Sequence, residues 1–255
     1  MIGNTKKNPE IVLWGDSHAG MLRESMDNTL TILNKSALFY TFPGCPPSLN
    51  IKAIHDFKNN CHRSNKIILE NIIASKTIKT VILAARYVQY LEGTSFDNQE
   101  GGIETNKWHV KFRPISGNFS EDERKKQVGK SYLDIINKLL NADKKIILIY
   151  PIPEVGYHVA HTLYKIIMYN HQDKLLPLTT SYNVYNNRTT TIRKLFDPID
   201  NNNIIRIYPS QIFCNSFMKD RCITHDNNLI FYVDEQHLTI HGANLVTNEL
   251  AKYLY

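Results

Sequence analysis

Five short apolar runs recur along the chain, separated by stretches long enough to form helices. The runs are residues 11–17, 37–42, 80–85, 145–151 and 204–208. They are rich in β-branched and aromatic residues, which is typical of strands covered on both faces in a parallel sheet. Alternating strands and helices predict an α/β domain with three layers, α/β/α, doubly wound around a mostly parallel five-stranded sheet.

Four helices are predicted between and after these strands. They cover residues 19–34, residues 61–76, a segment from Ser120 to about Asn141, and a segment from Thr239 to about Tyr253. Ser120 and Glu123 form a capping box, in which each side chain accepts a hydrogen bond from the backbone of the other. Two polar regions, residues 92–118 and 170–188, lack clear periodicity and are predicted to be excursions or lids over the strand ends.

Residues 11–255 are expected to form a single domain, because this length is usual for an α/β enzyme. We expect residues 1–10 to be a linker at a boundary with an upstream part of a longer parent. Residues 228–233 are predicted to form a short strand that delivers Asp234 to the site. No stretch approaches the roughly 18 consecutive apolar residues that a membrane-spanning helix needs.

The chain carries a formal net charge of +6. The basic residues are scattered rather than blocked, which favours an ordinary solvated surface. The alternative is attraction to anionic glycans or to membrane headgroups. We expect no nucleic-acid partner.

Four cysteines form two local pairs, Cys45 with Cys61 and Cys214 with Cys222. Neither pair has the spacing of a zinc knuckle or of a thioredoxin site. Each spacing closes a short loop, which suits a disulfide in an oxidising compartment. Four free thiols, or a zinc site completed by His55 or His62, are the alternatives that spacing alone leaves open.

The first apolar run ends in Gly15-Asp16-Ser17-His18, and Asp234 lies three residues before His237 near the other end of the chain. A serine hydroxyl becomes a useful nucleophile when a histidine takes its proton, and a carboxylate can orient that histidine. Taken alone, Ser17 reads as a turn or N-cap residue, and the Asp-x-x-His spacing arises often by chance. Their joint placement, after the first strand and before the last helix, favours a catalytic site at the strand ends.

The residue two positions after Ser17 is Ala19, which disfavours the Gly-x-Ser-x-Gly elbow of α/β-hydrolases. Several other short pieces, in a fixed order, carry a more specific resemblance. They are residues 12–19, Gly44-Cys45-Pro46-Pro47, Cys61, residues 81–87, Pro151-Ile152-Pro153-Glu154, Cys214 with Cys222, residues 232–239, and Gly242-Ala243. The chain resembles the SGNH (GDSL-like) hydrolase superfamily. It is most similar to the SGNH domains fused to acyltransferase-3 membrane domains in bacterial surface-glycan O-acetyltransferases.

The resemblance implies a flavodoxin-like fold with Ser17 as nucleophile, His237 as base and Asp234 as its partner. It also implies an oxyanion hole built from the backbone N–H groups of Ser17 and Gly44. The Gly-x-Asn-Asp block of the superfamily is absent, and Ala84-Ala85-Arg86-Tyr87 stands in its place. Arg86 is therefore expected either to act as a charged oxyanion donor or to pair with a carboxylate and shape the rim.

The resemblance further implies disulfides Cys45–Cys61 and Cys214–Cys222 and a periplasmic domain tethered to the inner membrane. The expected activity is O-acetyl transfer to a glycan acceptor of lipopolysaccharide, O-antigen or peptidoglycan through acyl-Ser17. The acetyl group would come from acetyl-CoA through an acyltransferase-3 domain, with no cofactor or metal bound by this domain. A carbohydrate O-acetyl esterase and a non-catalytic glycan-binding module are the alternatives.

Overall fold

The computed structural model describes residues 1–54, 61–104, 111–170, 178–226 and 229–255. The strands among these residues are β1 (Ile2–Gly3), β2 (Ile11–Gly15), β3 (Ser36–Thr41), β4 (Ile51–Ala53), β5 (Thr80–Ala84), β6 (Phe112–Pro114), β7 (Lys145–Ile149), β8 (Thr179–Ser181), β9 (Ile204–Ile207) and β10 (Arg221–Ile223). The helices are α1 (Ser17–Gly20), α2 (Arg23–Ile32), α3 (Cys61–Ala74), α4 (Tyr87–Glu92), α5 (Glu121–Leu140), α6 (Val159–Asn170), α7 (Tyr182–Phe196), α8 (Pro209–Phe213) and α9 (Ile240–Ala251).

The central sheet has the strand order β1-β3-β2-β5-β7-β9. The last five of these strands are parallel to one another, and each coincides with a predicted apolar run. Counted in chain order, they are arranged 2-1-3-4-5, which is the flavodoxin-like order. The predicted doubly wound architecture is confirmed. The direction of winding reverses between β2 and β5, so the carboxyl ends of these two strands flank the crevice where ligands bind in such sheets.

The sheet has six strands rather than the predicted five, because β1 pairs antiparallel with β3 at one edge. Residues 1–10 are therefore not simply a linker, since Ile2 is buried in the core and Gly3 completes the edge strand. A strand of two residues has no periodicity that a sequence pattern can reveal. Gly3 has a φ of +76°, and a Cβ there would lie 2.4 Å from the carbonyl oxygen of Lys35.

Alternate residues of each parallel strand enter opposite cores, as both faces of the sheet are covered. Val12 and Trp14 pack with the apolar faces of α3, α5 and α7 on one side. Ile11 and Leu13 pack with α2, α6 and α9 on the other. Each fully buried side chain of this size contributes about 1.5–3 kcal/mol. These two cores confirm the three layers.

The N-cap predicted at Ser120 is confirmed, since its side chain accepts a hydrogen bond from the N–H of Glu123, one of the two bonds of the predicted capping box. Thr239, where the last predicted helix begins, caps α9 by accepting a hydrogen bond from the N–H of Gly242. The helix predicted over residues 19–34 is divided into α1 and α2 at Met21 and Leu22. The predicted lids contain β6, β8 and the start of α7, while residues 105–110 and 171–177 of those lids lie outside the described residues. The strand predicted over residues 228–233 is reduced to isolated bridges at Ile230 and Tyr232, and Asn228 lies outside the described residues.

Both predicted disulfides, Cys45–Cys61 and Cys214–Cys222, are present. The first ties the loop after β3 to the start of α3, and the second closes the loop before β10. The sulfur atoms are thereby unavailable as zinc ligands, which removes the alternatives of free thiols and of a cysteine-based zinc site with His62. His55, the other histidine considered for that site, lies outside the described residues.

Candidate active site

Asp16 fixes the turn that presents Ser17. Its fully buried carboxylate caps α1 by accepting a 2.7 Å hydrogen bond from the N–H of His18. It also accepts hydrogen bonds from the backbone N–H of Arg86, at 2.9 Å, and from the hydroxyl of Tyr90. Burial, and then the negative charge of Asp16, raise the pKa of Tyr90 well above its ordinary value, so its hydroxyl remains a donor. The carboxylate of Asp16 thus connects the carboxyl ends of β2 and β5 next to Ser17.

Gly15 is required where β2 leaves the sheet. A Cβ on this residue would lie 1.7 Å from the carbonyl oxygen of Ala84 on β5 and 2.7 Å from the Cβ of Ala19. Any larger residue would push apart the two strands that flank the crevice. Packing therefore explains why a glycine is needed at position 15 of the Gly15-Asp16-Ser17 motif. Packing gives no corresponding reason for a serine at position 17.

A tight turn holds Asp234 and His237. Asp234 Oδ1 accepts hydrogen bonds from the backbone N–H groups of Gln236, at 2.8 Å, and His237, at 2.7 Å. The N–H of Val233 donates to the carbonyl of His237, at 2.9 Å, and closes the turn. This is the local hydrogen bonding that aspartate side chains favour in turns. It leaves Asp234 Oδ2 directed at the histidine ring.

The three predicted side chains meet in one hydrogen-bonded chain. His237 Nδ1 lies 2.7 Å from Asp234 Oδ2, and His237 Nε2 lies 2.8 Å from Ser17 Oγ. Partial burial would raise the pKa of Asp234, but hydrogen bonds from the side chain and backbone of His237 and from the backbone of Gln236 lower it to about 2. The carboxylate is therefore ionised near neutral pH. The side chains of His237 and Asp234 remain 26% and 28% exposed, so this hydrogen-bonded series of side chains is accessible to a ligand.

The guanidinium of Arg86 is committed to two buried carboxylates. Its Nη1 and Nη2 atoms donate to Glu104, at 2.8 and 2.7 Å, and its Nε atom donates to Glu154, at 2.8 Å. Burial would lower the pKa of Arg86, but Glu154 and Glu104 raise it above its ordinary value. The structure supports the second of the two expectations, pairing with a carboxylate. A role of the Arg86 side chain as an oxyanion donor stays a prediction, because the structure shows this side chain bonded to its carboxylate partners.

Gly44 lies in a tight turn that follows β3. The N–H of Cys45 donates to the carbonyl of Phe42, with Pro43 and Gly44 at the centre of the turn. Gly44 has a φ of +71°, as the second central residue of a type II turn requires. The turn follows β3, whose last residue Thr41 pairs with Gly15, so it lies at the same sheet edge as Ser17. The role of the Gly44 N–H in an oxyanion hole stays a prediction.

Several residues of the site were not predicted from the sequence. His18 Nε2 lies 2.8 Å from Gln236 Oε1, and both side chains are buried. The carboxylate of Glu154 accepts hydrogen bonds from both Arg86 and Arg188. The backbone N–H of the next residue, Val155, donates to the carbonyl of Glu235, at 2.9 Å. Adjacency to Ser17 and His237 was the available signal for His18 and Gln236. Glu104 and Arg188 gave no such signal, since they lie in regions predicted as lids.

Within the described ranges, no group of three or more histidine, cysteine, aspartate or glutamate side chains is arranged to hold a metal ion. No helix in the same ranges combines the length and apolarity needed to cross a membrane.

The model of one protein family, described as the SGNH domain fused to AT3 domains, matches residues 1–252. The chain belongs to this SGNH family. No curated protein sequence matches it significantly. Among solved structures, the periplasmic domain of a lipopolysaccharide acetyltransferase from Salmonella ser. Paratyphi A is similar, with a TM-score of 0.64 at 19% identity, covering 99% of this chain and 86% of that one.

A GDSL-like lipase from Bacteroides thetaiotaomicron has a TM-score of 0.50 at 8% identity, covering 100% of this chain and 93% of that one. An acetyl xylan esterase has a TM-score of 0.48 at 16% identity, covering 96% of this chain and 98% of that one. At 19% and 8% identity, the likeness to the Salmonella and Bacteroides structures shows the fold, and membership of the SGNH family supports an acyl-related enzyme activity.

Proposed function

We propose that this SGNH domain is the extracytoplasmic catalytic part of a serine-dependent O-acetyltransferase that modifies a bacterial cell-surface glycan. The observation that carries the proposal is the hydrogen-bonded chain from Asp234 through His237 to Ser17, with distances of 2.7 and 2.8 Å. Side chains in this order are what acyl transfer through a serine ester requires. The two disulfides are consistent with an extracytoplasmic domain.

In the first half of the proposed reaction, Ser17 Oγ attacks the carbonyl carbon of an acetyl donor while His237 Nε2 takes the hydroxyl proton. Asp234 stays ionised and stabilises the imidazolium that forms. The tetrahedral intermediate collapses as the donor's leaving group departs with the proton from His237, and acetyl-Ser17 remains. Backbone N–H groups of Ser17 and Gly44 are the proposed donors to the oxyanion.

In the second half, a sugar hydroxyl gives its proton to His237 and attacks the carbonyl of acetyl-Ser17. Collapse of the second tetrahedral intermediate releases the acetylated glycan and returns the proton to Ser17 Oγ. Attack by water instead would make the domain a carbohydrate O-acetyl esterase. Fusion of this family to AT3 domains supports transfer, because a membrane acyltransferase gives a route for acetyl groups from cytoplasmic acetyl-CoA to an extracytoplasmic serine.

The proposed acceptors are lipopolysaccharide, O-antigen or peptidoglycan, and this domain itself would bind no cofactor. The non-catalytic glycan-binding alternative is not favoured, because a binding module has no need for the 2.8 Å contact between Ser17 Oγ and His237 Nε2.

Turnover of a chromogenic acetyl ester by the isolated domain tests the catalytic half of the proposal. Ser17→Ala and His237→Ala are expected to abolish turnover, whereas Ser116→Ala and His241→Ala, which alter exposed residues, are expected to retain it. Equal activity in all four variants would contradict the proposal. For the transfer half, the full-length parent is incubated with purified glycan, and NMR detects acetylated sugar. Free acetate in place of acetylated glycan would favour the esterase.

A further inference from the structure

Ser17 and His237 come from segments 220 residues apart, so their alignment depends on contacts between the first helix and the Asp234–His237 turn. Besides the bond between the two residues themselves, His18 bonds to Gln236, and the N–H of Leu238 donates to Met21 Sδ at 3.0 Å. The contact between His18 and Gln236 is the more constraining of these two, because both side chains are buried, at 3% and 7% exposure.

The chemistry of this contact determines where His18 carries its proton. The amide oxygen of Gln236 can only accept a hydrogen bond, so His18 Nε2 is the donor. Burial lowers the pKa of His18; the negative charge of Asp16 and the bond to Gln236 oppose this effect, while His237 and Arg86 add to it. His18 is therefore a neutral ring with its proton on Nε2.

The neutral state matters because the His18 ring meets the His237 ring edge-on, with centroids 5.5 Å apart. In the proposed reaction His237 becomes an imidazolium when it takes the proton of Ser17. A second positive charge at this distance would oppose that step through like-charge repulsion in a partly buried site. A neutral His18 packs against His237 without this effect.

We propose that Gln236 is a positioning residue, which accepts a hydrogen bond from His18 and thereby locks the Asp234–His237 turn to the helix that carries Ser17. This inference rests on the proposed function of Ser17 and His237. Gln236 does not touch the reacting atoms; it acts through His18 and through the turn in which its own backbone N–H donates to Asp234.

Gln236→Met tests the proposal, since methionine keeps the length of the side chain and removes the acceptor. We expect kcat for a chromogenic acetyl ester to fall about 10- to 100-fold, as for small misplacements of catalytic groups, with KM unchanged within about twofold. Asparagine is one methylene shorter than glutamine, so the kcat of Gln236→Asn is expected to lie between those of wild type and Gln236→Met. Gln127→Met on α5 is the matched control, because it also removes a side-chain hydrogen bond, to Glu123, outside the site.

NMR of the domain with 15N-labelled histidine gives a readout independent of activity. In the wild-type protein we expect a His18 proton on Nε2, and in Gln236→Met we expect the signal of that hydrogen-bonded proton to be lost. A His18 proton on Nδ1, or wild-type kcat in Gln236→Met, would overturn the inference while the proposed function stands. A wild-type domain that fails to turn over the ester would overturn both.

Discussion

Nε of Arg86 lies 2.8 Å from Oε1 of Glu154, within a group of four charged side chains whose two carboxylates are buried. Glu104 accepts two further bonds from Arg86, and Arg188 donates to the other oxygen of Glu154, at 3.0 Å. Two positive and two negative side chains thus balance one another. Because Arg86 also donates its backbone N–H to Asp16, this group connects the interior with the turn of Ser17.

Arg86→Met is expected to destabilise the domain without removing the chemistry. Two buried carboxylates would lose their shared partner, which typically costs about 3–5 kcal/mol in the free energy of unfolding. Urea denaturation measures this cost, and Arg113→Met, at an exposed position, is the control. A variant of wild-type stability whose ester turnover falls 100-fold or more would instead indicate that Arg86 serves the oxyanion.

The stabilisation that Glu154 provides is expected to depend on pH, and Glu154→Gln should remove this dependence. Burial would raise the pKa of Glu154, but Arg86 and Arg188 lower it from 4.5 to about 2. A lowered pKa means that the carboxylate contributes its full stabilisation above pH 4.5 and loses it as the pH falls through 2. The shift corresponds to about 3 kcal/mol.

Wild type should therefore exceed Glu154→Gln in the free energy of unfolding near pH 6, and this difference should shrink between pH 4.5 and pH 2. Denaturation of both proteins at a series of pH values measures it. A difference that stays constant over this range would contradict the ion pairing of Glu154.

Asp234→Asn is expected to lower kcat/KM by about 10³- to 10⁴-fold, because an amide does not stabilise the imidazolium and favours the wrong tautomer of His237. Since the pKa of Asp234 is about 2, its carboxylate stays ionised in wild type throughout pH 4–9. Ester turnover over this range measures the effect, with Asp200→Asn at an exposed position as the control. A loss below tenfold would remove Asp234 from the proposed triad.

Replacing Cys45 and Cys61 together by serine is expected to cost about 3 kcal/mol of stability, through the entropy of the loop that they close over a sequence separation of 16. The bond holds the loop that carries Gly44, so the proposed oxyanion hole should loosen and kcat should fall as well. Denaturation and ester turnover of the double variant measure the two effects. Mass spectrometry of wild-type protein secreted to an oxidising compartment should show no free thiol, and four free thiols would contradict both bridges.

The parallel strands were predictable because their apolar runs are buried on both faces, so that burial and sequence carry the same pattern. The edge strand β1 was not, since Ile2 and Gly3 are too few to show a period. Helix α7 was missed because its first half lies in the region predicted as a lid, and α6 was missed because no element was assigned to most of its residues. The capped helices α5 and α9 were predicted because Ser120 and Thr239 mark their first turns.

Within the site, Ser17, Asp234 and His237 were predictable because the chemistry needs these residue types at a strand end and in a turn. The pairing of Arg86 was one of two alternatives, and the sequence could not choose between them. Its partners Glu104 and Glu154 lie 18 and 68 residues away, and tertiary structure alone brings them together. The contact of His18 with Gln236 was unpredictable for the same reason.

Covalent labelling by a fluorophosphonate probe tests whether Ser17 is an activated nucleophile, because the reagent reacts with a serine that a neighbouring base activates. We expect one added phosphonyl group per wild-type domain, mapped by mass spectrometry to the peptide containing Ser17, and none at that position in His237→Ala. Labelling at another serine, or equal labelling of Ser17 in wild type and His237→Ala, would contradict the proposed role of Ser17 and His237.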